Sequence, residues 1–136
     1  MDHIVYLNSS REMDQLLSGE KTVMARASMG KKRPYDKVSV GDMLFFTNGF
    51  NSKIKAMARV KSALSSRMEK DLSSGIRKQY GQMLAPGPLA ELVNKRYVIL
   101  IELEKAGPIV PFSLSEDVHG SPGDWVIVKN IDEVIS

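Results

Sequence analysis

The chain has 136 residues, of which 43% are hydrophobic, 26% charged and 7% aromatic, and its formal net charge is +3. This length and composition predict a single globular domain over residues 1–136, and they exclude the disordered and collagen-like classes. Because the chain contains no cysteine, disulfide frameworks, thiolate metal sites and cysteine nucleophiles are excluded as well.

The first predicted elements are a short strand and a short helix. His3–Leu7 is rich in β-branched and aromatic residues, which favours a strand. Ser9 and Glu12 have the spacing of a capping box, and apolar residues at helical spacing follow them. We therefore predict a one-faced helix that ends at Gly19, the residue type that most often follows a helix.

A second strand and a basic loop are predicted next. Lys21–Ser28 has the composition of a strand. The segment after it combines glycine and proline with three adjacent cations, Lys31, Lys32 and Arg33. Glycine and proline interrupt regular structure, so these cations are predicted to lie in a loop.

The most regular pattern in the chain surrounds the dipeptide Asn48-Gly49, which favours a two-residue hairpin turn. Before this turn, Met43–Thr47 is a hydrophobic run that predicts a buried strand. After it, residues 53–61 alternate between apolar and mainly charged side chains. The second strand of the hairpin is therefore predicted to bury one face and to expose cations on the other. Those cations are Lys53, Lys55, Arg59 and Lys61.

The second half of the chain is predicted to contain two further helices and several strands. Apolar residues at roughly helical spacing favour a helix within residues 65–84, and a second short one is predicted over Leu89–Asn94. Tyr97–Glu104 is apolar on both faces at its start, which predicts a central strand. Pro108–Phe112 fits an edge strand, because proline cannot donate to a ladder, and Trp125–Val128 fits a final strand.

These elements together indicate an α+β fold. The expected architecture is a small, closed or nearly closed, mostly antiparallel β-barrel of five to six strands, with two to three helices packed on it. A doubly wound parallel sheet is disfavoured because most connections between the predicted strands lack a crossover helix. No repeat, low-complexity tract or linker divides the chain.

Two separated motifs resemble the signature of the ASCH domain, a member of the PUA-like superfamily. In that family a helix ends in Gly-x-Lys-x-x-Glu-x-Arg, and here Gly19, Lys21 and Arg26 match. A Val-x-x-Gly-Asp stretch with a hydrophobic strand follows in the family, as it does here over Val38–Phe46. Ala56–Val60 is similar to the strand that comes next. The resemblance covers about the first half of the chain and implies a PUA-like barrel with a basic cleft suited to RNA or a nucleotide-like ligand.

One position departs from the family pattern. Met24 stands where the family often has glutamate or, in a small amidohydrolase branch, a threonine thought to be the nucleophile. A methionine side chain is neither a base nor a nucleophile, so binding is favoured over hydrolysis. The alternative is a small amidohydrolase or ribonuclease acting on a modified nucleoside or on RNA. Its candidate catalytic residues are Lys21, Thr22 and Glu69.

The charge distribution also favours an anionic partner. Residues 1–96 carry 17 basic and 9 acidic side chains, whereas residues 97–136 carry 2 basic and 7 acidic ones. Such asymmetry predicts a basic surface that binds RNA, together with an acidic one that is an alternative docking surface for a protein. The candidate RNA-binding residues are Lys21, Arg26, Lys31, Lys32, Arg33, Asn48, Phe50, Lys53, Lys55 and Arg59.

Each of these candidates also has a structural interpretation. Lys21 and Arg26 follow a helix end and could pair with nearby carboxylates instead of phosphates. The cations of residues 53–61 could protect an exposed edge strand against aggregation. Among the aromatic residues that could stack on bases, Phe50 is predicted to be more exposed than Tyr35, and Trp125 is predicted to lie in the core.

Other sequence features predict no cofactor and no membrane contact. His3 and His119 do not form a ligand-spaced pair, and so no metal site is predicted. No apolar run approaches the roughly 20 residues that span a bilayer, and the first residues lack the pattern of a signal peptide. A cytoplasmic location is therefore expected, while the oligomeric state is left open.

Overall fold

The computed structural model of the protein describes residues 1–7, 10–19, 23–31, 34–48, 53–69, 74–75, 94–115 and 125–135. These ranges contain six strands, one α-helix and one short 3-10 helix. In chain order the elements are β1 (Asp2–Tyr6), α1 (Ser10–Ser18), β2 (Val23–Ser28), β3 (Met43–Thr47), β4 (Ile54–Arg67), β5 (Tyr97–Phe112), β6 (Trp125–Val128) and the 3-10 helix Ile131–Glu133.

All six strands belong to one sheet, in the order β2-β5-β4-β3-β1-β6. Every neighbouring pair is antiparallel except β1 and β3, which run parallel. The sheet curls into a half-barrel. No hydrogen-bonded ladder joins β2 to β6 among the described residues, so the barrel that the sequence predicts is open at these two strands.

The larger of two core clusters lies between α1 and the sheet. Met13 and Leu16 of the helix contribute to it, with side chains from all six strands, and Trp125 is 2% exposed within it. Because apolar residues repeat at helical spacing in α1 and at alternate positions in the strands, one face of each element is buried. The prediction that Trp125 lies in the core is confirmed.

The second core cluster covers the opposite face of the sheet. Ile4, Phe45 and Val126 are buried there together with Ile131 of the 3-10 helix. The segments that follow β5 and β6 thus cover this face, as α1 covers the other one. Both faces of the central strands are consequently packed over part of their length.

The helix α1 agrees with its sequence prediction. It ends where Gly19 takes a φ of +78° and donates its backbone N–H to the carbonyl of Leu16 over 3.2 Å. A positive φ at this position is easy for glycine and costly for a residue with a side chain, which explains why the helix stops here. Ser9, the predicted capping residue, lies outside the described residues.

The α-helix count among the described residues is one, lower than the two to three predicted. Strand β4 continues to Arg67, so the helix predicted from residue 65 is wrong over residues 65–67. There residues 65–67 pair with residues 97–99 of β5, which provides partners for their backbone groups. This strand pairing outweighs the helix preference that the spacing of the apolar residues indicates. Residues 74–75 are helical, and most of the rest of that predicted helix lies outside the described residues. So does the helix predicted over Leu89–Asn94, except for Asn94, which lies in a turn.

Strand β5 is longer than predicted, because it continues from Glu104 into the segment that was predicted as a separate edge strand. The chain passes through Lys105 in the left-handed region, with a φ of 53°, and stays paired with β4 as far as Phe112. On its other side β2 reaches only as far as Glu102. Pro108 and Pro111 therefore lie in a part of β5 that has one described neighbour, where a missing donor is tolerated.

Candidate nucleic-acid interface

The basic segment of β4 has the alternating burial that its sequence predicts. Ala56, Ala58 and Val60 are fully buried in the cluster that contains α1. The intervening cations lie on the protein surface, and we call them the β4 cation row. They are Lys53, Lys55, Arg59 and Lys61, all of which are exposed.

Three members of the β4 cation row have no acidic partner in the described part of the chain. Arg59 lies opposite Glu104 in the register of β4 and β5, with 3.6 Å between its Nε and the carboxylate Oε1. Both side chains are substantially exposed, so this pair stabilises the fold by no more than about 1 kcal/mol. No described carboxylate lies within 4.0 Å of Lys53, Lys55 or Lys61.

One member of the β4 cation row, Arg59, lies where β4 has a paired strand on both sides. Met43, Leu44, Phe45 and Phe46 of β3 pair with residues 56–59 on one side, and β5 pairs along the other side. An inner strand has no open edge that needs protection against aggregation. Edge protection therefore does not account for Arg59, whereas Lys53 precedes β4 and Lys55 and Lys61 lie beyond its pairing with β3.

Arg26 lies on the opposite side of the sheet, between β2 and α1. Its Nη2 is 3.0 Å from Oε1 of Glu12, and its Nη1 donates to the carbonyl of Ala25 over 3.0 Å. Both side chains of this ion pair are mostly buried. The charge of Arg26 is therefore already engaged by a carboxylate.

The described cations consequently lie on two faces of the sheet. Met57 packs against the cluster on the face remote from α1, and Arg59 shares that face because side chains alternate along a strand. Arg26 faces the helix instead. The structure therefore does not bring these two predicted RNA-binding residues into one cleft.

Several other predicted site residues lie outside the described residues. They are Lys21, Thr22, Lys32, Arg33 and Phe50. Asn48 is described and is exposed just after β3. Glu69, the carboxylate of the hydrolase alternative, is exposed two residues beyond the end of β4.

Lys31 belongs to a second basic region, which we call the lysine–tyrosine cluster and define as Lys31, Tyr35 and Tyr97. The two rings are edge to face, with centroids 5.4 Å apart and planes at 73°. The Lys31 Nζ lies 5.9 Å from the Tyr35 centroid and 5.7 Å from that of Tyr97. The sequence predicts Tyr97 only as the first residue of a central strand, because a tyrosine that opens an apolar run resembles a core residue.

The Gly-Asp pair of the second motif has a structural role. Gly41 takes a φ of +90° in the turn before β3 and donates its N–H to the carbonyl of Val60 over 2.9 Å. The buried carboxylate of Asp42 accepts the Ser39 N–H over 2.9 Å and lies 2.8 Å from Nε2 of His3. This motif thereby fixes β1 and β3 to the turn.

The Asp42 carboxylate is held in its charged form. Burial alone would raise the pKa of Asp42, but hydrogen bonds from the Ser39 N–H, the His3 ring and the amino group of Met1 outweigh this effect and lower it. Burial dominates at His3, and it lowers the pKa of the ring although the neighbouring Asp42 carboxylate opposes the shift. The pair is therefore a neutral histidine beside an ionised aspartate.

Met24, at the position where the resemblance implies a glutamate or a threonine, is part of the core. Its side chain is 1% exposed and packs in the cluster beneath α1. A thioether in this setting fills volume and takes no part in acid–base chemistry.

The described residues offer neither a metal cluster nor a membrane-spanning helix. No group of three or more His, Asp or Glu side chains there is arranged to hold a metal ion. None of the helices in the described ranges is long and apolar enough to cross a membrane.

Comparison with solved structures shows which fold this is. The ASCH protein of Zymomonas mobilis superposes with a TM-score of 0.70, covering 99% of this chain and 96% of that chain at 14% identity. A mutant of it with phenylalanine in place of a tyrosine gives a TM-score of 0.71, covering 97% of this chain and 93% of that chain at 13% identity. A mutant with alanine in place of a serine gives 0.70, with 97% and 91% covered at 13% identity.

No family model and no curated protein matches the chain. The likeness to the Zymomonas mobilis protein extends over nearly the whole chain, and at this level of identity it is a likeness of fold. The protein has the ASCH fold, which is a PUA-like fold. The expectation drawn from the two sequence motifs is therefore confirmed for the architecture, and it extends beyond the first half of the chain that carries the motifs.

Proposed function

We propose that this protein, whose chain adopts the PUA-like fold of ASCH proteins, binds RNA and contacts its phosphates chiefly through the β4 cation row. The observation that carries the proposal is that three lysines of the row, Lys53, Lys55 and Lys61, are exposed and lack a described carboxylate partner. An RNA would supply the anionic partner that they lack.

The spacing of the β4 cation row suits a polyanion. Residues two apart on one face of a strand lie about 7 Å apart, close to the separation of successive phosphates along a nucleic acid strand, and residues four apart, such as Lys55 and Arg59, lie about 13 Å apart. Lys55, Arg59 and Lys61 belong to β4, which pairs with β5 through several shifts of register, so the attachment points of these side chains are ordered. Less conformational entropy is then lost on binding than with cations on a mobile loop.

The cleft between α1 and the sheet is a secondary contact in this proposal. The family resemblance assigns Lys21 and Arg26 to it. Arg26 contributes less than a lysine of the β4 cation row, since its guanidinium must share its hydrogen bonds with Glu12.

Binding is favoured over hydrolysis because the position that carries the reactive group in part of the family is occupied by a buried methionine, Met24. The hydrolase alternative with Lys21, Thr22 and Glu69 gains no support from the described residues. A nucleotide-like ligand remains within the proposal, since its phosphates present the same charge to the same lysines.

Salt-dependent RNA binding tests the proposal. A filter-binding titration of labelled single-stranded and structured RNA is made at several salt concentrations. The expected result is a logarithm of the association constant that falls linearly with the logarithm of salt, with a slope of about −0.7 for each phosphate neutralised on a single strand. No salt-sensitive binding at micromolar protein would contradict it.

A further inference from the structure

We propose that the lysine–tyrosine cluster stacks one unpaired base of the RNA, which makes single-stranded RNA the preferred ligand. This inference rests on the proposed function, and it adds a contact to the bases where the β4 cation row contacts only phosphates. Stacking of bases on aromatic side chains is the usual way in which proteins hold single strands.

The geometry of the cluster provides a surface for a planar base. Tyr35 and Tyr97 are both half-buried, so each ring is partly fixed by the protein and partly open to solvent. Above them lies an exposed lysine, Lys31, within 6 Å of both ring centroids. No described carboxylate pairs with Lys31, and the π-faces of the two tyrosines are therefore its described partners.

Both rings are held in place by ordered backbone. Tyr97 opens β5 and pairs in register with Ser28 of β2 and Arg67 of β4. Tyr35 lies in a turn closed by a 2.9 Å hydrogen bond from the Lys37 N–H to the carbonyl of Pro34. Rings held in this way before binding lose little freedom when a base arrives.

The turn that carries Tyr35 is also fixed to the sheet. Asp36 adopts a φ of 59°, in the left-handed region, and its backbone N–H donates to Oγ of Ser65 over 2.7 Å. This conformation is uncommon for residues other than glycine, and aspartate is one of those that adopt it most readily. The result is that Tyr35 is brought against Tyr97.

Cations are placed on both sides of the rings. Arg67 is exposed and lies directly opposite Tyr97, so the two side chains project from the same face of the sheet. Lys31 lies over the rings themselves. A base that stacks on the exposed ring surface displaces the Lys31 ammonium, which then reaches the adjoining phosphate, while Arg67 contacts the phosphate on the other side.

The stacking site and the β4 cation row lie at different ends of β4 and on different faces of the sheet. Tyr97 alternates with Ile99 and Ile101, which pack in the cluster that contains α1. Arg59 instead shares the remote face with Met57. A strand of RNA that contacts both sites therefore passes from one face of the sheet to the other. The β4 cation row then sets the dependence of binding on salt, and the lysine–tyrosine cluster sets its dependence on the presence of bases.

The test compares two RNAs of equal charge. Fluorescence anisotropy at fixed salt measures the affinity for a ten-residue oligouridine and for an oligonucleotide with the same number of phosphates and no bases. We expect the protein to bind oligouridine about tenfold more tightly, which is within the range for one stacked base. Tyr97→Leu and Tyr35→Leu should each lower this ratio towards one, whereas Tyr97→Phe should preserve it.

A matched control separates stacking from a general effect of losing a ring. Phe112 is also a half-buried aromatic residue of β5, but it packs against Phe45 in the other core cluster. Phe112→Leu should leave the affinity ratio unchanged. Circular dichroism of each variant confirms that it is folded, and Tyr35→Leu provides a second measurement if Tyr97→Leu does not fold.

The outcomes distinguish this inference from the proposed function. If the wild-type protein binds both oligonucleotides equally and with the same salt dependence, stacking is wrong and RNA binding stands. If the tyrosine variants lose affinity for both oligonucleotides in equal proportion, the rings have only a structural role and stacking is again wrong. If neither oligonucleotide binds, both proposals are wrong.

Discussion

The indole N–H of Trp125 donates to Nδ1 of His3 over 3.0 Å, across 122 residues of sequence. An indole nitrogen can only donate, and Nδ1 must therefore be an acceptor without a proton. The ring proton then lies on Nε2, where it is donated to Oδ2 of Asp42 over 2.8 Å. This chain of hydrogen bonds joins β6, β1 and the turn before β3, and it requires His3 to be neutral.

Acid should therefore destabilise the fold through His3. Burial lowers the pKa of this ring below its ordinary value of 6.5, so the unfolded chain binds the proton more readily than the folded one. The stabilisation of the fold by the neutral His3 ring is complete above pH 6.5. It is lost as the pH falls from there towards the pKa of His3 in the folded state. Urea denaturation between pH 7.5 and pH 4.5 should show a falling free energy of unfolding.

Two variants assign this pH dependence to one residue. His3→Gln keeps an acceptor and a donor but does not titrate, and it should flatten the profile below pH 6.5. His119→Gln removes the other histidine of the chain and should leave the slope unchanged. Identical slopes in the wild-type protein and in His3→Gln would show that His3 is not the titrating group.

The Asp42 carboxylate should contribute strongly to stability. Asp42→Ala leaves the part-buried N–H of Ser39 and the buried Nε2–H of His3 without their acceptor. The expected loss is about 2–4 kcal/mol in the free energy of unfolding. Asp14→Ala, at an exposed position of α1, is the control and should change it by less than about 0.5 kcal/mol. Equal effects of the two substitutions would mean that the motif has no structural role.

Met24 should behave as a core residue in every substitution. Met24→Ala is expected to cost about 2–4 kcal/mol, because it leaves a cavity beneath α1, whereas Met24→Leu conserves volume and should cost less than about 1.5 kcal/mol. Thermal denaturation measures both. RNA affinity at a temperature where the Met24→Leu variant is folded should match that of the wild-type protein. A selective loss of affinity in Met24→Leu would instead place this side chain in the binding surface.

The ion pair between Arg26 and Glu12 should couple β2 to α1. A double-mutant cycle with Arg26→Gln and Glu12→Gln is expected to give a favourable interaction of about 0.5–1 kcal/mol, typical of a partly buried pair. Arg26→Gln should also reduce RNA affinity less than Lys55→Gln does. If Arg26→Gln instead reduces RNA affinity more than Lys55→Gln does, the main contact is the cleft and not the β4 cation row.

Local patterns were sufficient to predict several elements of the fold. The hydrophobic run of β3 has the same bounds in the sequence prediction and in the structure. The alternation over residues 53–61 also predicts which side chains of that segment are buried. Each of these features is determined by residues that are neighbours in sequence.

The features that could not be predicted depend on distant partners. Strand β4 extends to Arg67 because residues 97–99 pair with it, although the local spacing favours a helix. The contact between Tyr35 and Tyr97 joins a loop to a strand 62 positions further along the chain. Similarly, a lone His3 in a short strand gives no sign of its bonds to Asp42 and Trp125.

The most direct test of RNA binding by the β4 cation row compares two triple variants of equal charge. In the first, Lys53, Lys55 and Lys61 are replaced by glutamine. In the second, the replaced residues are Arg11, Lys37 and Lys129, which are also exposed but lie outside the β4 cation row and the strand segments paired with it. RNA affinity is measured for both across a salt series.

The two variants carry the same net charge, so a general attraction between a basic protein and a polyanion affects them equally. We predict that the variant of Lys53, Lys55 and Lys61 binds more weakly than the wild-type protein and that its salt slope is shallower by about 2. The control variant should retain most of the wild-type slope. Equal loss of affinity and equal slopes in the two variants would contradict the assignment of RNA binding to the β4 cation row.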